Sequence, residues 1–132
     1  MLSFTRYLDL PARLLMAMLF LASGLGKLTA VAATQAYMTA YGVPGLLLWP
    51  AAMLEIGGGL MLVAGLWLRP LGLLLCGWCL LTAAIFHTAL SDSIQQVMLL
   101  KNATMAGGFL LLARGGAPGL GIDGLFSRPT HK

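Results

Sequence analysis

Four ionisable side chains fall inside long apolar stretches of this chain: Lys27, Glu55, His87 and Lys101, with Asn102 beside the last. Holding a charge in hydrocarbon costs several kcal/mol, so such residues are functional candidates by default. Two lysines against one carboxylate leave a positive charge over, and a protonated His87 adds another. A surplus cation of this kind suits an anionic group or the carbonyl oxygens of a quinone. In that reading Lys27, Lys101 and Asn102 hold ligand oxygens, while Glu55 and His87 exchange protons. An unperturbed imidazole titrates at about 6.5, which makes His87 the member that changes charge near neutral pH. A plainer reading stands beside it: Glu55 pairs with Lys27 or Lys101 and merely pins helices together. Buried pairs can specify register while adding little stability.

The elements that must position these residues follow from composition. Of 132 residues, 59% are hydrophobic and 9% charged, and mean hydropathy is +0.89. A soluble domain carries about 25% charged residues, so eight basic and four acidic side chains cannot coat a water-soluble globule of this length. Disordered chains have the opposite balance. The net charge of +4 makes no basic stripe, so nucleic acid is not the expected partner. The lipid bilayer is.

A helix needs about 20 apolar residues to cross about 30 Å of hydrocarbon. Four runs meet this: about 14–31, 45–68, 71–90 and 94–113. None alternates as a barrel strand would. The expected fold is an all-α membrane protein, one domain over residues 1–132, with four transmembrane helices in an antiparallel bundle. A short interfacial helix is expected between the first two, around Thr34–Tyr41, ended by Gly42 and Pro44. Residues 115–132 read as a tail, with little expected to fold.

Outer ends near Ala30, Gly45, Leu90 and Ile94 place Lys27, Glu55, His87 and Lys101 roughly 5, 15, 5 and 11 Å deep. Small residues share their faces: Ser23 with Lys27, Ala51 and Gly59 with Glu55, Ala83 with His87, Gly108 with Lys101. These faces are expected to line one interior pocket.

Orientation follows the basic residues. Arg6, Arg13, Arg69, Arg114, Arg128 and Lys132 all flank helices on one side, so both termini are expected in the cytoplasm. The opposite side carries no basic residue unless Lys27 is counted. The first run resembles a signal peptide, with an Ala30-Val31-Ala32 triplet, but Lys27 interrupts it before that triplet, so it is read as a helix.

Five segments carry a family resemblance: Ser23-Gly24-Leu25-Gly26-Lys27; Tyr37-Met38 with Gly42-Val43-Pro44; Glu55-Ile56-Gly57-Gly58-Gly59; Phe86-His87; and Leu100-Lys101-Asn102 with Gly107-Gly108. In this order the chain resembles the DoxX family of small four-helix membrane proteins, nearest a bacterial inner-membrane branch, from about Arg13 to Asp123. The resemblance implies association with membrane oxidoreductases, one relative being a subunit of a thiosulfate:quinone oxidoreductase. It also marks Lys27, Glu55, His87, Lys101 and Asn102 as the family's polar positions. The expected function is a quinone-interacting or accessory subunit, with no covalent cofactor and a soluble or membrane oxidoreductase as partner. A non-enzymatic assembly or partner-binding subunit with a structural polar core is the alternative, and a homo-oligomer is compatible with either.

Other signals carry less. Cys76-Gly77-Trp78-Cys79 is a C-x-x-C, but apolar surroundings raise a thiol pKa and no second pair exists to pass electrons on. It reads as helix packing. His131 lies in the tail, which leaves His87 without a second histidine for haem, and no metal-ligand cluster is visible. Gly57-Gly58-Gly59 follows no strand and is no phosphate loop.

Overall fold

A computed structural model describes residues 2–127, with side chains from Phe4 onward. Its elements are α1 (Leu2–Thr29), α2 (Val31–Ala40), a 3-10 turn (Gly45–Leu47), α3 (Leu48–Ala64), α4 (Leu68–Phe86), α5 (Ser93–Gly115) and α6 (Ile122–Phe126). Four helical stretches are long and apolar enough to cross a membrane: Phe4–Thr29, Gly45–Ala64, Leu68–Phe86 and Ser93–Gly115. The short helix expected between the first two is α2. It is tied back by Gln35, whose Nε2 donates to Gly45 O at 3.1 Å.

The chain divides into two compact units, one holding everything up to Trp67 and from Ala117 onward, the other Leu68–Gly116. In the first, α1 and α3 run antiparallel, with Lys27 opposite Glu55 and Arg13 opposite Leu62. Lipid offers no hydrophobic drive for helix association, so close approach depends on small residues. Gly24 and Gly59 provide it. A Cβ on Gly24 would lie 2.6 Å from Ile56 Cγ1, and one on Gly59 would lie 2.7 Å from Leu21 Cδ2. In the second unit α4 and α5 form an antiparallel hairpin. There Gly72 is pressed against backbone, its added Cβ falling 2.7 Å from Phe109 O and 2.9 Å from Ala113 N. Asp92 caps α5 by accepting from Ile94 N at 2.9 Å.

Several boundaries differ from expectation for physical reasons. The first helix starts at Leu2, not near residue 14, and passes through Pro11. Arg13 is therefore no flanking charge. It is completely buried, and its five N–H donors meet five backbone carbonyls. Nε donates to Asp9 O (3.3 Å), Nη1 to Leu62 O (3.1 Å) and Val63 O (3.2 Å), and Nη2 to Gly119 O (2.9 Å) and Leu120 O (3.0 Å). The third helix, α3, stops at Ala64 rather than near Leu68. Gly65 takes φ 70° as its left-handed cap, and an added Cβ there would collide with Arg13 Nη1.

The tail is likewise ordered, contrary to expectation, through Ser127. Gly119 N donates to Asp9 Oδ2 at 2.8 Å, Asp123 N to Gly65 O at 2.8 Å, and Trp67 N to Asp123 Oδ1 at 2.9 Å. Arg128, His131 and Lys132 lie outside the described residues.

Candidate functional site

Glu55 sits on the buried face of α3, nine residues before that helix ends at Ala64. At 1.5 Å per residue this is roughly 14 Å from the helix end, near the middle of the apolar span. Lys27 reaches it from α1: Nζ lies 2.8 Å from Glu55 Oε2 and 2.9 Å from Ser23 Oγ. The long lysine stem can lie across the interface because Gly24 and Gly59, each about a turn away and both toward the same end of the pair, let the two helices close up. The Glu55 side chain is 7% exposed and that of Lys27 is 21% exposed. An ammonium has three donors. Among the described residues two are taken by Ser23 and Glu55, so one remains for a further oxygen.

On the same helix pair a half-open depression of about 290 Å³ is lined by Leu28, Trp49, Ala52, Met53 and Ile56; neither Lys27 nor Glu55 is part of its lining. The lining is wholly apolar.

The second unit holds the other polar positions. His87 is the first residue beyond α4 and is half-buried; its Nδ1 is 2.9 Å from Gln95 Oε1. Asn102 is half-buried on α5, donating to Met98 O at 2.9 Å, with Thr82 Oγ1 3.5 Å from its Oδ1. Lys101 differs: it lies on an exposed face of α5, not on a buried one as its spacing to Gly108 suggested. A residue one position from Asn102 is turned about 100° away from it on a helix. Cys76 and Cys79 are both buried among the apolar residues of α4 and are not joined in a disulfide.

Spacing thus brought Lys27 and Glu55 together, as one of the open pairings had it. Two partners were missed. Ser23 had been noted only for its size, although it lies four residues before Lys27, one turn on the same face. Gln95 was overlooked, yet folding the chain back through the 88–92 turn places it opposite His87.

Residues 8–88 match the DoxX family. Inner membrane protein YqjF of Escherichia coli is 44% identical, over 90% of this chain and 92% of its own length. Inner membrane protein YphA of the same organism is 31% identical, over 86% of each. No solved structure matches the chain significantly. The polar residues described above therefore sit in a chain that belongs to the DoxX family.

Proposed function

We propose that this protein is a quinone-binding accessory subunit of an oxidoreductase system in the bacterial inner membrane, with both termini in the cytoplasm. The observation that carries the reading is the Lys27–Glu55 pair, near the middle of the apolar span, on the same helix pair as a half-open apolar depression of about 290 Å³. A membrane-dissolved quinone has the matching chemistry: an apolar ring for the depression and carbonyl oxygens for the remaining Lys27 donor. Glu55 is the carboxylate placed to exchange a proton there. Within the second unit, His87 and Asn102 are half-buried polar groups, His87 standing at a helix end. Lys101, being exposed, is the position the ligand role fits least. The family's inner-membrane relatives and the basic residues gathered at one set of helix ends support the location and orientation.

The test is titration of purified protein with a short-chain ubiquinone or menaquinone analogue, read by quenching of Trp49, which lines the depression. Saturable quenching is expected. Losing one hydrogen bond from a charged donor removes about 1.5–3 kcal/mol, so Lys27→Met should weaken affinity about tenfold or more. Equal affinity in wild type, Lys27→Met and Glu55→Gln would sink the site.

A second reading is favoured by a specific observation: Lys27 is already neutralised by Glu55 and supported by Ser23. In that reading the polar core is structural and the subunit serves assembly or partner binding. It predicts that Lys27→Met/Glu55→Gln, which removes both charges together, keeps both stability and partner retention.

A further inference from the structure

We infer that the segment 117–127 is an interfacial anchor, strapped to the α1–α3 pair and pressing an apolar face into the lipid at that membrane surface. Three observations build it. First, the segment is fixed in depth. Arg13 holds Gly119 and Leu120 by their carbonyls with the same guanidinium that holds Leu62 and Val63, the last turn of α3. Asp9 holds Gly119 N, and α6 is joined to the end of α3 through Asp123 N to Gly65 O. The strap lies this close because its glycines carry no side chain: a Cβ on Gly119 would collide with Arg6 O, and one on Gly121 would lie 2.9 Å from Arg13 Nη1.

Second, that depth is the hydrocarbon edge. The apolar span from Gly45 to Ala64 has 20 residues, or about 30 Å, which matches the hydrocarbon thickness. A segment bonded to its last turn lies within the headgroup layer, which is about 5–7 Å thick on each side. Trp67 stands exposed at this level, as interfacial tryptophans do. It is held at φ 51°, an unusual conformation for a non-glycine residue, by the Asp123 carboxylate on its N–H.

Third, the face turned away from the protein is apolar. Within α6, Ile122, Asp123 and Gly124 are half-buried, whereas Leu125 is exposed and Phe126 is 85% exposed. Leu120 is exposed as well. In water these side chains would form an unfavourable patch. At the headgroup–acyl boundary the lipid covers them, as it covers the apolar face of interfacial helices sunk about 5–10 Å. This inference does not depend on the quinone reading.

The experiment is spin-label depth measurement on the full chain in phosphatidylcholine/phosphatidylglycerol nanodiscs. Nitroxides are placed at Leu125→Cys and Phe126→Cys in a Cys76→Ser/Cys79→Ser background, with Ser91→Cys as the water-exposed control. Labels at 125 and 126 are expected to collide with oxygen in preference to a water-soluble nickel complex, the reverse of position 91. Collisions with nickel equal to those at 91 would overturn the anchor and assign the face to a protein partner. If the cysteine-free background fails to fold, brominated-lipid quenching of Phe126→Trp in a Trp49→Phe/Trp67→Phe/Trp78→Phe chain reads the depth of the same face. Efficient quenching supports the anchor; none refutes it.

Discussion

Replacing Arg13 by methionine gives the sharpest test of how this fold is held, because methionine keeps the stem and removes all five donors. Of the five carbonyls, Leu62 O also accepts from Gly65 N, and Asp9 O lies inside α1. Val63, Gly119 and Leu120 lie at a helix end or outside any helix, so their carbonyls depend most on the guanidinium. Leaving a buried acceptor unsatisfied costs about 1–3 kcal/mol, so three give about 3–9 kcal/mol before relaxation. The site is near a water-accessible surface, and single substitutions rarely exceed about 4–5 kcal/mol. The expected loss is therefore about 3–4 kcal/mol. Arg13→Lys should recover only part of it, since a point charge with three donors cannot span acceptors on α1, α3 and the tail. The assay is reversible unfolding in mixed micelles followed by circular dichroism, with Arg6→Met, at an exposed position, as control. A loss below about 0.5 kcal/mol in Arg13→Met, the range of ordinary surface substitutions, would refute the reasoning.

Two further predictions concern the second unit and the topology. Gly72→Ala forces a methyl against the backbone of α5, where nothing can rotate aside, and should cost about 1–3 kcal/mol. Gly77→Ala on the same helix meets nothing within 4 Å and should be neutral or stabilise by up to about 1 kcal/mol; thermal unfolding of the two variants should diverge accordingly. For orientation, green fluorescent protein fused after Lys132 should fluoresce and alkaline phosphatase fused there should be inactive. The reverse pattern would invert the topology.

How much of this could be read from the chain divides along a physical line. Apolar length fixes a membrane-spanning helix almost by itself, so the four spans and α2 emerged with their order correct. One-turn spacing of Ser23 with Lys27, and of Ala51 and Gly59 with Glu55, was enough to turn those faces inward, with the Lys27–Glu55 pairing as one of two left open. What spacing cannot encode is the partner of a backbone carbonyl. Arg13 looked like one more flanking charge because its acceptors are main-chain atoms, four of the five between 49 and 107 residues away, and main-chain atoms leave no trace in side-chain identity. The same gap hid the tail: Gly115-Gly116-Ala117-Pro118-Gly119 is loop-like by composition, and its glycines turn out to serve tight contact, not freedom. Lys101 failed for a different reason. Neighbours on a helix point in different directions, so its adjacency to Asn102 said little about where its own face turns.

The Arg13 cluster also has a history in time. Its Nη2 acceptors, Gly119 and Leu120, follow it by 106 and 107 residues. At roughly 5–20 residues per second of synthesis, about 5–20 seconds separate the making of the guanidinium from the making of its last two acceptors. Throughout that interval α1 enters the membrane with part of its cation unanswered, exposed to headgroup phosphate or water at the boundary. The first helix pair can therefore reach its finished state only after the second hairpin has left the ribosome. A chain shortened before Gly119 would remain permanently at that nascent stage.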